Sequence, residues 1–190
     1  LATAGRRNEV VRPLQAAANW VMDDNHRGAW PEISYEPSPA YFSPPIGLWV
    51  AATVEALFGL KVDKPAGRLQ VAPCFPDHWP AASLNLPDYQ AEFTRQGDTL
   101  EYVVRSREPL TRQVRWSLPP GRVSDVSVDG KPVEYHLEPG VECLFLTLET
   151  KPSRASRIRV KVQPFNLAVN APASIAEGDP ITVSVNGIAI

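Results

Sequence analysis

The sequence predicts a mainly β protein, an antiparallel β-sandwich behind an N-terminal helical hairpin. Three observations carry this. Apolar residues recur at spacings of three and four within the first 60 residues. From residue 68 onward the spacing changes to two. Twenty prolines in 190 residues, about twice the usual share of roughly 5%, are spread along the chain as turn and strand-end signals. These divide the chain into a helical hairpin over 1–60, a β-domain over 61–163, and a linker with the first strands of another β-domain over 164–190. A composition of 44% hydrophobic and 21% charged residues is that of a globular chain, which excludes wholesale disorder and a coiled coil.

Each element follows from local pattern. Leu14, Ala17, Ala18, Val21 and Met22 form one apolar stripe. Pro13 fits the first helical position, where a missing N–H is harmless; a turn extended back through Val10 and Val11 would be kinked by it. Gly28 marks the exit. In the second helix Ser43 can cap, Pro44 and Pro45 can occupy the first turn, and Gly59 can close it in a left-handed conformation. Between them Ile46–Phe58 is apolar nearly all round, with Thr53 and Glu55 its strongly polar members. Such a helix must be enclosed, and one partner helix with one strand layer cannot enclose it, so further helices ahead of Leu1 are expected. The chain opens at Leu1 without methionine and stops at Ile190 within a strand-like run; a piece of a longer protein is expected.

Strands are expected at Arg68–Ala72, Ala81–Leu86, Tyr89–Thr94, Thr99–Arg105, Arg112–Leu118, Val123–Val128, Glu142–Leu148 and Arg157–Val162. Turn signals at Gln96–Asp98, Pro119–Gly121, Asp129–Gly130 and Pro139–Gly140 separate them. About eight short strands with no helix between them predict antiparallel pairing.

Several functions are excluded or given a structural reading. A formal net charge of −2 offers no bulk attraction to nucleic acid or anionic membrane, and no apolar run approaches the roughly 18 residues of a spanning helix. Cys74 and Cys143 allow at most one disulfide and read as buried packing. His78 reads as a hydrogen-bonded junction residue and His136 as exposed. Arg154, Arg157, Arg159 and Lys161 read as a solvated strand face. No metal-ligand spacing, phosphate loop or nucleophile motif is present, so neither metal nor cofactor is expected.

Chemistry concentrates in residues 25–41, where His26, Trp30, Glu32, Tyr35, Glu36 and Tyr41 lie within 17 residues between the two helices. Asp23 and Asp24 sit just before it, at a helix C-terminus, where negative charge is disfavoured. A long irregular segment carried by rigid helices is a usual place for a site. Aromatic rings beside carboxylates suit sugars, with the ring face on pyranose C–H groups and the carboxylates moving protons.

The order Trp30-Pro-Glu32, then Ser43-Pro-Pro-x-Gly-Leu-Trp49, then Ala56-Leu-Phe-Gly-Leu60, then Leu69-Gln-Val-Ala-Pro-x-Phe-Pro-x-x-Trp79 resembles the end of a six-hairpin glycosidase. That superfamily includes glucoamylases, α-L-rhamnosidases and disaccharide phosphorylases. The resemblance covers residues 14 to about 163 and implies the last hairpin of an (α/α)6 toroid followed by a β-sandwich. It implies a glycoside hydrolase acting on oligo- or polysaccharide by inversion, with Glu32 as general base, Glu36 as runner-up, and Trp30 and Tyr35 as substrate-binding neighbours. Pro37, Pro39, Pro44 and Pro45 make the spacer stiffer than the usual glycine-bearing version. The partners implied are a carbohydrate substrate and the upstream helical barrel of the same protein, which would supply the general acid; alone, this piece is expected to be inactive. An Ig-like domain after residue 164 would fit an extracellular, periplasmic or cell-surface protein. Two other readings stand beside it: a polysaccharide lyase using His26 with Tyr35 or Tyr41, and a non-catalytic β-module that binds glycans or supports its neighbours.

Overall fold

The computed structural model describes residues 1–22, 44–165, 168–170 and 184–186. A 3-10 turn over Ala2–Ala4 leads into helix α1 (Arg7–Val21), and helix α2 (Pro44–Ala52) runs into a π-helical turn over Thr53–Leu57. Among the described residues twelve strands follow: β1 (Leu60–Asp63), β2 (Arg68–Val71), β3 (Ala81–Asn85), β4 (Tyr89–Gln96), β5 (Thr99–Leu118), β6 (Gly121–Val128), β7 (Lys131–Pro132), β8 (His136–Pro139), β9 (Leu144–Glu149), β10 (Ser153–Pro164), β11 (Ala168–Asn170) and β12 (Ser184–Asn186).

The expected stripe on α1 faces the core through buried Val10 and Val21 and half-buried Leu14, while Met22 is exposed. The helix starts six residues earlier than Pro13 would suggest, with Pro13 in its interior. Two facts explain this. Arg7 and Val10 are buried and anchor the added turns, and Pro13 lies on the exposed side, where water can solvate the carbonyl left without its helical N–H. On the second helix, Thr53 Oγ1 donates to the Trp49 carbonyl (2.9 Å), and the Phe58 N–H reaches back five residues to the Thr53 carbonyl (3.1 Å). Gly59 then turns the chain at φ +70°, so close to the Ala72 backbone that a Cβ would stand 2.0 Å from its carbonyl carbon. Both conditions require glycine.

β1 to β10 form one ten-stranded sheet organised on β5. The first half of β5, Thr99–Ser106, pairs with β4 on one edge and β10 on the other. Its second half, Thr111–Leu118, pairs with β2 and β9. The separate strands expected at Thr99–Arg105 and Arg112–Leu118 are therefore one strand. Buried Arg112 stitches the passage between the halves, donating to the Leu110 carbonyl (2.7 Å), Ser106 Oγ (3.1 Å), Ser153 Oγ (2.9 Å) and the Ser153 carbonyl. The expectation of purely antiparallel pairing is corrected at one place: β2 runs parallel to β5, with Arg68–Val71 in register against Thr111–Val114. The β3–β4 hairpin lies between them in sequence and supplies the crossover that a parallel pair needs.

The core is aromatic where helices and sheet meet. Phe75 stacks on Phe93 (4.4 Å between centroids) and meets Phe58 edge-on (5.2 Å). Trp116, on the second half of β5, approaches Phe93 at 6.4 Å and Tyr102 at 6.0 Å. The Tyr102 hydroxyl donates to the Phe58 carbonyl (2.7 Å), so the end of the helical hairpin is hydrogen-bonded directly to the sheet.

Candidate functional site

Glu32, Glu36, Trp30 and Tyr35, with Asp23, Asp24, His26 and Tyr41, lie outside the described residues. The structure describes the mounts on either side: α1, ending at Val21, and α2, beginning at Pro44. Trp49 Nε1 of α2 donates to the Leu14 carbonyl of α1 (3.1 Å). The two helices are thereby tied to each other, and α1 is tied in turn to the sheet.

That second attachment centres on Asp77. The Arg7 guanidinium, 3% exposed, donates from Nε and Nη2 to Asp77 Oδ1 (3.2 and 2.9 Å) and from Nη2 to Oδ2 (2.8 Å). Its Nη1 donates to the carbonyls of Leu118 (2.7 Å) and Glu142 (3.1 Å). Asn8 Nδ2 donates to Asp77 Oδ2 (3.1 Å) and Asn8 Oδ1 accepts from the Asp77 N–H (2.8 Å). Arg95 Nη2 reaches Oδ1 at 3.4 Å. Burial works against the Asp77 carboxylate, but the hydrogen bonds and charge of Arg7, with help from Asn8 and Arg95, outweigh it and hold the carboxyl below its ordinary value.

The polar member of this junction is Asp77 and not His78, the residue expected from the sequence. His78 is exposed, and Asp77 beside it carries the hydrogen bonds. No local signal distinguishes the two, because Arg7 is 70 residues away in sequence. Trp79 packs against the core beside it, 6.3 Å from Phe75.

Cys74 and Cys143 are buried free thiols, and burial raises the pKa of both, leaving them poor nucleophiles. Among the described residues no three His, Cys, Asp or Glu side chains are grouped as metal ligands, and no described helix is long and apolar enough to cross a membrane. Arg154, Arg157, Arg159 and Lys161 are exposed on β10. A groove of about 590 Å³ beside them carries both signs of charge, with Arg157 facing Glu101 at 3.5 Å.

The chain is thus a mainly β protein with a mixed sheet, few helices and an N-terminal helix. No protein-family profile matches its sequence, nor does any curated protein. Among solved structures it is similar to a GH127 β-L-arabinofuranosidase from Geobacillus stearothermophilus T6, at a TM-score of 0.35 and 11% identity. The alignment covers 88% of this chain and 26% of that one. A likeness at that level assigns no activity to this chain.

Proposed function

We propose that the chain is the C-terminal part of a glycoside hydrolase that cleaves oligo- or polysaccharide by inversion. Residues 1–60 are the last hairpin of a helical toroid. Residues 61–163 are a β-sandwich made by the two halves of the sheet, and 164–190 lead into a further β-domain. Glu32 is the general base, Glu36 its runner-up, and Trp30 and Tyr35 hold the sugar. The partner acid belongs to another hairpin of the toroid, about 6.5–9.5 Å from the base, so that a water fits between base and anomeric carbon.

The observation that carries this reading is the exposed apolar surface of α2. Ile46, Leu48 and Val50 are 45%, 72% and 45% exposed on a helix whose residues Pro44–Ala52 include no polar side chain other than the Trp49 indole. Burying one large aliphatic side chain stabilises a protein by about 1.5–3 kcal/mol. A helix of this composition is suited to a place among other helices, and the Trp49 indole ties it to α1.

The test is Glu32→Gln in the full-length protein. Loss of general-base catalysis should lower kcat by about 10²–10⁴-fold with the fold unchanged, while Glu36→Gln should retain most activity, and NMR should show the inverted anomer as first product. Hydrolysis undiminished in both variants overturns the assignment. An unsaturated product that still forms in Glu32→Gln would instead identify a lyase acting through His26 with Tyr35 or Tyr41. Glycan binding without turnover would identify a non-catalytic module.

A further inference from the structure

A cleft of about 390 Å³ opens where the helical hairpin meets the sheet, and its lining includes Thr3, Glu55, Gln70, Gln113, Arg115 and Phe145. That volume falls in the range of about 300–1,000 Å³ typical of small-molecule sites, which often lie between structural units. Gln70 and Gln113 are register partners on the parallel strands β2 and β5. Neighbouring strands lie about 4.8 Å apart, and both side chains line the cleft, each carboxamide able to donate and accept. Gln113 Nε2 reaches Glu149 Oε2 at 3.3 Å on the exposed surface, a contact that a ligand hydroxyl can replace.

The other members set the charge and the shape. The Arg115 guanidinium lies 3.5 Å over the Phe145 ring, and its Nη1 faces the Thr3 carbonyl at 3.5 Å. The cation is therefore fixed, and that ring face is already covered. Glu55 projects from the π-helical turn at Thr53–Leu57, an irregularity frequent at functional sites, and it is exposed. Within the lining itself one carboxylate and one guanidinium balance, and Glu149 beside Gln113 adds a negative charge at the margin. Two amides, a carboxylate and a guanidinium, with no bare ring to stack on, match a neutral ligand rich in hydroxyls. An acidic or a purely apolar ligand is matched less well.

We propose that this cleft binds one neutral sugar ring, using residues other than those of the Glu32 segment. The proposal borrows from the hydrolase reading only its choice of sugars as probes. Its test is an NMR titration of the full chain with methyl glycosides of neutral hexoses and pentoses, following the carboxamide signals of Gln70 and Gln113. A single ring of this size binds with a Kd on the order of 1 mM, so the titration runs to about 50 mM, fifty times that estimate. Both signals should shift saturably. The double variant Gln70→Ala, Gln113→Ala should bind at least tenfold more weakly, and Gln70→Ala alone should already weaken binding, while Gln90→Ala, on β4 and outside the cleft, should not. Absence of saturable shifts, or unchanged affinity in the double variant with its melting temperature retained, overturns the proposal; so does tenfold tighter binding of a methyl glucuronide. Glu32→Gln should leave the titration unchanged, so the cleft and the hydrolase reading can each fail alone.

Discussion

Arg6 and Arg7 are neighbours in sequence and have opposite fates. Arg6 pairs with Glu9 one turn along the helix surface (3.1 Å), a contact of little energetic weight. Arg7 is buried, and its five N–H groups go to Asp77 and two carbonyls. Removing one partner of a fully buried ion pair costs about 3–5 kcal/mol. Asp77 is itself 37% exposed, so Asp77→Ala is expected to cost about 2 kcal/mol, read from the urea midpoint at pH 7. The pH dependence follows from the sign of the shift. The Asp77 carboxyl lies lower in the folded state, so its stabilisation is complete above the unfolded value of about 3.9. It is lost as pH falls through the folded value below that. The wild-type advantage over Asp77→Ala should therefore hold from pH 7 to about 5 and shrink below pH 4, and urea titrations at each pH would check it.

At the scale of elements, two features depart from local expectation and two bear tests. α1 passes through Pro13 because tertiary anchors at Arg7 and Val10 outweigh the lost helical hydrogen bond. β5 runs unbroken past Pro109 because Arg112 joins both sides of the passage. Arg112→Met would strip hydrogen bonds from the Leu110 and Ser153 carbonyls together; a loss of about 3 kcal/mol is expected, measured by chemical denaturation. The exposed apolar surface of α2 predicts the opposite behaviour. Leu48 is 72% exposed, so Leu48→Glu should change the stability of this chain by no more than about 0.5 kcal/mol. In sedimentation experiments the same change should reduce any self-association and, in the full-length protein, loosen the helical part.

Across the described residues, the helical segments and the sheet share one interior. Val10 of α1, Leu57 and Phe58 at the end of the second helix, and Phe93, Tyr102 and Trp116 of the sheet belong to the same buried cluster. Cys74 lies at the junction and Cys143 beside β9, both buried with pKa raised by burial. Both thiols should resist a disulfide reagent at pH 8 in the native protein. They should react together on denaturation, with rates that track global unfolding. A thiol that reacts well below the denaturation midpoint would show instead that its end of the molecule opens separately.

Local sequence determined what local sterics and period control. Gly59 stops a helix at positive φ, and Asp129–Gly130 turns β6 into β7 with both residues at positive φ (52° and 77°), because few other residues tolerate that region. Alternating side chains placed most of the strands, and the clustering of Trp30, Glu32, Tyr35 and Glu36 between two helices marked the candidate site by chemistry alone. Only the tertiary structure decided that β2 runs parallel to β5, that two apparent strands are one, that Arg7 is an interior residue bound to Asp77, and that Gln70 and Gln113 share a cleft. Each of these joins residues far apart in the chain. A pairing partner or a counter-charge leaves no periodic trace in the sequence, whereas a turn or an amphipathic stripe is encoded by its nearest neighbours.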